Sequence, residues 1–202
     1  MLIIGRWSKV LVVFLLLIVL FLFAGGWQWV GKIAYPLPYK EHIFRYSKQF
    51  QVDPLFVTAV MRVESRFYAE AHSRRGAKGL MQLMPETAEW ITQQLNIEYR
   101  ADMLTEPKYN IMLGTWYISN LSAQFNDNLL LTLAAYNGGR GRVKEWLEDK
   151  VWDGKQENIS QIPFEETKKF VTRVWRDYQL YQKLYGGYSR VYFRDFLELY
   201  LQ

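Results

Sequence analysis

The sequence contains no cysteine. That excludes disulfides, thiolate metal sites, a cysteine nucleophile and a lipidated N-terminal cysteine. It has no run of five or more basic residues and no nucleic-acid-binding motif, so its net charge of +5 is dispersed. A dispersed basic balance suits an anionic lipid or an anionic cell wall and argues against nucleic acid as a partner. There is no internal repeat, no low-complexity tract and no convincing series of alternating strands. What is present is apolar and aromatic: of 202 residues, 50% are hydrophobic and 17% aromatic, enough to bury a core. Most of the eight Trp and fourteen Tyr are expected in that core. Any that are exposed would suit sugar rings, whose C–H faces stack on aromatics.

The longest apolar run is Val10 to Gly26, which carries no charge. Extended to Val30, it approaches the ~20 residues that cross a bilayer as a helix. Arg6 and Lys9 precede it, and Trp27 and Trp29 follow at the place of an interfacial belt. This pattern predicts one N-terminal transmembrane helix, with the bulk of the chain on the extracytoplasmic side. A cleaved signal peptide ending near Ala24-Gly25-Gly26 is the competing reading, and the retained anchor is preferred to it. Residues 1–31 are read as a cytoplasmic stub with the anchor, 32–38 as a Pro-containing linker, and 39–202 as one domain.

Helix signals dominate that domain. Asp53-Pro54 is an N-cap followed by proline at the first helical position, and Phe56, Val57, Val60 and Val63 follow at helical spacing. Further helices are expected over Tyr39 to Phe50, from Pro85, over Asn110 to Phe125, and over Asn128 to Tyr136. Asn137-Gly138-Gly139 stops the last of these. Phe164 to Tyr185 reads as a long amphipathic helix ended by Gly186-Gly187, with a separate helix in the tail from Tyr188 to Gln202. A short hairpin near Ala71 to Lys78 is the one β element expected. The predicted class is mainly α, with that minor hairpin.

Glu64 falls at the end of the Asp53-capped helix, after Val60, Met61 and Val63. Apolar surroundings disfavour a carboxylate and raise its pKa. A glycosidic oxygen leaves only when protonated, so an acid kept protonated near neutral pH is the tool for cleaving it. Read alone, however, Glu64-Ser65 is more often an exposed helix end. The segment that follows adds weight. Ser73 to Gly79 is a polar turn in which Gly79 permits close backbone approach to a ligand. Gln82 offers a donor and an acceptor that match an N-acetyl amide. Met81 and Met84 offer flexible apolar contact, and core packing is their alternative role. Tyr136 can fix a carboxyl group by a hydrogen bond, or else sit buried on a backbone partner. Glycosidases usually pair two carboxylates. Glu70, Asp102, Glu165 and Glu166 stand in no evident partner motif, which points to a single acid, with the substrate's own acetamido group available as nucleophile.

These motifs resemble the soluble lytic transglycosylase (SLT) family, of the goose-type-lysozyme-like superfamily. The similarity runs from about Glu41 to Tyr185. It rests on Glu64-Ser65, Ser73 with Gly76 to Pro85, Asn110 with Gly114 and Tyr117, Ala135 to Gly139, and Ile162-Pro163 with Glu166-Thr167. The resemblance implies a lysozyme-like helical domain and a peptidoglycan lytic transglycosylase acting on glycan strands without metal or cofactor. Glu64 would be the acid that protonates the bond between N-acetylmuramic acid and N-acetylglucosamine. It would then be the base for the muramyl C6 hydroxyl, giving a 1,6-anhydro end. Ser73, Gln82, Met84 and Glu166 match positions along the cleft. Tyr136 matches the tyrosine on the catalytic carboxyl, and Ser65, Gly79, Met81 and Asn137 support the site. Two positions depart from the family: Phe170 stands where a Tyr is frequent, and Gly138 where an Ala is. A non-catalytic wall-binding or scaffold module with partners in the cell envelope, and a lysozyme-type hydrolase on the same fold, are the alternatives.

Overall fold

A computed structural model describes residues 4–21 and 25–200, with side chains described for 7–21 and 25–186. The chain divides into two units between Leu37 and Pro38. The first holds α1 (Ile4–Phe21) and the short α2 (Trp27–Ala34). Among the described residues no helix is long and apolar enough to cross a membrane, which corrects the transmembrane helix expected over Val10 to Val30. Residues 22–24 lie outside the described residues, and Gly25 beyond them has φ +96°, a conformation outside a right-handed helix. The eight residues of α2 are too few to span.

The second unit contains α3 (Lys40–Phe50), α4 (Pro54–Ser65), α5 (Pro85–Leu95), α6 (Pro107–Gln124), α7 (Leu129–Gly138), α8 (Arg140–Glu148) and α9 (Glu165–Tyr200). Short 3₁₀ turns lie at Ala101–Met103 and Gln156–Gln161. No strand occurs among the described residues. The expected hairpin is instead a pair of isolated bridges, His72 with Lys78 and Lys78 with Leu83. The chain reverses too soon for a ladder: Ser73 N donates to Ala77 O at 2.9 Å, and left-handed backbone follows at Gly79 and Gln82. The other difference is at Gly186-Gly187, which α9 passes without ending. A glycine costs a helix only about 1 kcal/mol relative to alanine, too little to stop one of this length.

α4 is the centre of the unit. Leu55 to Met61 are buried without interruption, and the helix packs against α3 and α9. Its start is capped by Asp53, whose Oδ1 accepts from Leu55 N at 2.8 Å and whose Oδ2 accepts from Tyr178 Oη of α9 at 2.8 Å. Near its end, Arg62 Nε reaches the buried Asp177 of α9 at 3.3 Å. Both ends of α4 are therefore tied to α9. α7 is buried from Leu130 to Ala135 and capped by Asn128, whose Oδ1 accepts from Leu130 N and Leu131 N. Asn110 of α6 is fully buried and uses all its amide capacity on the backbone. Its Oδ1 accepts from Met81 N at 2.7 Å, and its Nδ2 donates to Lys78 O at 3.0 Å and Leu104 O at 2.7 Å. One side chain thus locks the segment between α4 and α5 onto α6.

Candidate active site

α4 ends where the cleft begins. Arg66 and Phe67 both adopt left-handed backbone, turning the chain sharply away just after Glu64. Ser65 secures that turn: its Oγ donates to Met61 O at 3.2 Å and accepts from Phe67 N at 3.1 Å. Ser65 is therefore a fastening for the helix end and does not line the cleft. Glu64 is left half-buried at the floor of a cleft of about 520 Å³.

That cleft is assembled from five elements. α4 supplies Glu64, and the turn after it Ser73, Arg74, Arg75 and Ala77. The approach to α5 supplies Gln82 and Met84, the end of α7 Tyr136 and Asn137, and the first turn of α9 Glu166. All the substrate-contacting residues expected from the sequence lie here together. Arg74 and Arg75 also line it, inside the very turn that the motif marks; their charge was the available signal, and the motif assigned them no part. A larger cavity of about 750 Å³ is lined by Tyr46, Glu70, Arg100, Asp102 and Lys108 among others, and lacks Glu64. Size does not choose between the two; the perturbed carboxyl does. A recess of about 240 Å³ lined by Glu86, Thr87, Trp90, Tyr117 and Arg140 meets the cleft wall through the Tyr117–Tyr136 ring contact.

Several side chains play parts different from those expected. Met81 is fully buried against Gly114, so only Met84 presents its thioether to the cleft. Met81 serves through its backbone, whose carbonyl accepts the Tyr136 hydroxyl at 2.7 Å. Tyr136 therefore spends its proton on that carbonyl and not on Glu64. Its ring lies parallel to Phe170 at 6.3 Å and tilted against Tyr117 at 5.5 Å. Gln82 adopts φ +46° and donates from Nε2 to Ala71 O at 3.1 Å and Gly79 O at 2.9 Å, which commits its amide N–H groups to the backbone. Gly79 has φ +79°, and a Cβ there would collide with Asn110 and the Leu104 carbonyl, so this turn admits only glycine. Asn137 Oδ1 accepts from Thr167 Oγ1 at 2.9 Å, which joins α7 to α9 beside the site.

The electrostatics single out one group. Burial pushes the Glu64 carboxyl from 4.5 up to about 8, and the negative charge of Glu166 adds to the effect. The Glu64 carboxyl makes no hydrogen bond or ion pair to the protein among the described residues, so no protein group stabilises its charged form. Burial also raises the Tyr136 phenol well above its ordinary value, with contributions from Glu64 and Tyr117. Glu166 has a different environment. It is exposed and takes the fork of Arg75, at 3.1 Å from Nη2 to Oε2 and 3.5 Å from Nη1 to Oε1. The second carboxylate of the cleft is thus engaged by an arginine, while the first, raised by burial, has no such partner. The two carboxylates of the cleft therefore sit in different environments. Among the described residues no group of His, Asp and Glu is arranged to hold a metal ion.

The chain is similar to several lytic transglycosylases. The soluble lytic murein transglycosylase of Salmonella typhimurium is 34% identical over 80% of this chain and 25% of its own. An inactive Glu-to-Gln variant of the lytic transglycosylase Slt from Pseudomonas aeruginosa superposes with a TM-score of 0.68 at 37% identity, over 76% of this chain and 25% of that one. The 70 kDa soluble lytic transglycosylase in complex with bulgecin A gives a TM-score of 0.72 at 31% identity, over 77% and 26%. The chain spans about a quarter of the length of the curated relatives it matches. The Transglycosylase SLT domain matches residues 41–159, more than half of the chain and all of the cleft except Glu166. On that match, and on helices that bring the matched motifs around Glu64, the chain belongs to the SLT transglycosylase family.

Proposed function

We propose that the second unit is a peptidoglycan lytic transglycosylase in which Glu64 acts alone as acid and then base. The observation that carries this reading is the carboxyl of Glu64, half-buried in a sugar-sized cleft and held up at about 8. At pH 7 roughly nine-tenths of such a group is protonated. It can protonate the glycosidic oxygen between N-acetylmuramic acid and N-acetylglucosamine. The resulting carboxylate, unpaired and poorly solvated, is a stronger base than an exposed glutamate. It then takes the proton of the muramyl C6 hydroxyl as that oxygen closes on C1. One proton is given and one recovered, no water is consumed, and the product ends in a 1,6-anhydro ring. The engagement of Glu166 by Arg75 supports the single-acid reading, since a hydrolase with two carboxylates needs the second one free as nucleophile or base. The inactive Glu-to-Gln variant of the relative is in keeping with one indispensable carboxyl. Such a substrate lies outside the cytoplasmic membrane, which is where the enzyme would act.

Mass spectrometry of digested, purified peptidoglycan tests the proposal. Anhydromuramyl ends are expected, and Glu64→Gln should abolish them while leaving the fold intact. Reducing ends would instead indicate a hydrolase. Binding without cleavage by the native sequence would indicate a wall-binding module.

A further inference from the structure

The cleft holds more positive charge than the reaction above uses. Glu64 is neutral near pH 7 and Glu166 is matched by Arg75. The charge left over belongs to Arg74. It lines the same cleft, is exposed, and makes no hydrogen bond or ion pair among the described residues. Its neighbour in sequence carries the same group but is held across the cleft by a residue 91 positions away.

The backbone beneath Arg74 is fixed. Ser73 N donates to Ala77 O at 2.9 Å, and Ser73 O accepts from Gly76 N at 3.1 Å. Ser73 Oγ accepts from Ala77 N at 2.9 Å and from Arg75 N at 3.2 Å. Ser73 is thus the closure of the turn, and it presents two guanidinium groups at the cleft of which one is already occupied. A guanidinium is planar and pairs with a carboxylate through two parallel N–H bonds, a geometry that an ammonium cannot supply.

We propose that Arg74 is a specificity-determining residue that receives a carboxylate borne by the muramyl sugar at the cleft, while Arg75 stays with Glu166. The inference rests on the peptidoglycan reading above. A muramyl residue carries a lactyl ether. In bare glycan its carboxylate is free; in peptide-bearing glycan that carboxyl is amide-linked and the charge lies on the peptide's own carboxylates. Both present the same group to Arg74, and an uncharged amino-sugar polymer presents none.

The test compares kcat/KM of the wild type with Arg74→Ala, Arg74→Lys and Arg74→Glu on peptide-bearing strands and on strands stripped by an amidase, each at low and raised salt. Arg74→Ala is expected to lose roughly two- to fivefold on at least one substrate, the range of a solvent-exposed ion pair. Arg74→Glu should lose more and Arg74→Lys less. The loss should lie mainly in KM, with the alkaline limb of kcat unmoved, which separates contact with substrate from an effect on Glu64. Salt should inhibit the wild type more than Arg74→Ala. Loss confined to peptide-bearing strands assigns the peptide carboxylate, loss confined to stripped strands assigns the lactyl carboxylate, and loss on both supports the shared chemistry. Variants equal to the wild type on both substrates overturn the inference. A wild type inert on both defeats the peptidoglycan reading itself.

Discussion

Replacing Glu64 with glutamine should stabilise the protein at neutral pH and do so less in acid. The unfolded chain releases the Glu64 proton near 4.5, whereas the folded chain holds it to about 8. Between those values folding must take up a proton, so the stability contributed by this group is complete below 4.5 and declines as pH rises toward 8. At pH 7 the interval above 4.5, at 1.36 kcal/mol per pH unit, corresponds to about 3 kcal/mol. The cleft admits water to one side of the carboxyl, so about 2 kcal/mol is a fair working figure. Glutamine has the same shape and does not titrate. Its advantage over Glu64 should therefore be about 2–3 kcal/mol larger at pH 7 than at pH 4. For a domain of this size that is roughly 4–12 °C of Tm. Thermal unfolding of both proteins at the two pH values measures it, and the same variant must fail to cleave peptidoglycan. An equal Tm difference at pH 4 and pH 7 would show that Glu64 is solvated like any surface carboxylate, and the argument for a raised acid would collapse.

Glu166→Gln removes a negative charge near Glu64 and leaves Arg75 unpaired; the alkaline limb of kcat/KM should move to lower pH, and a limb that stays in place would refute the coupling. Because the Arg75–Glu166 pair is exposed, the same variant should change stability by less than about 1 kcal/mol in urea unfolding. Tyr136→Phe leaves the Met81 carbonyl without its partner and should cost about 1–2 kcal/mol of stability together with activity; unchanged urea midpoints would mean the bond contributes nothing. Asn110→Ala strips three hydrogen bonds from buried backbone groups and should cost 3 kcal/mol or more, on the order of 1 kcal/mol for each. Its loss should be felt in activity too, since the freed segment carries Gln82 and Met84.

The helices and the limits of the site were legible in different ways. Asp53-Pro54 and Asn128 announce helix starts because a capping side chain acts within three residues of itself, and both do so here. The apolar runs of α4 and α7 are legible for the same local reason. The N-terminal run misled because hydropathy says nothing of backbone continuity, and Gly25 interrupts it. The hairpin misled because polar turn residues signal a reversal without saying whether the flanking chain stays extended long enough to pair.

The sequence by itself determined which residues would be brought to one cleft, because the ordered motifs around Glu64, Gln82, Tyr136 and Glu166 carry the family resemblance. It also determined the absence of thiol chemistry. Only the tertiary structure decided what those residues do there. Met81 and Met84 are the same residue type three positions apart, yet one is sealed against Gly114 and the other faces the cleft. Tyr136 donates a hydrogen bond to a carbonyl 55 residues away, and Glu166 meets an arginine 91 residues away. The raised pKa of Glu64 is the clearest case. Desolvation depends on how α4, α7 and α9 close around a carboxyl, and no spacing along a chain records that distance in space.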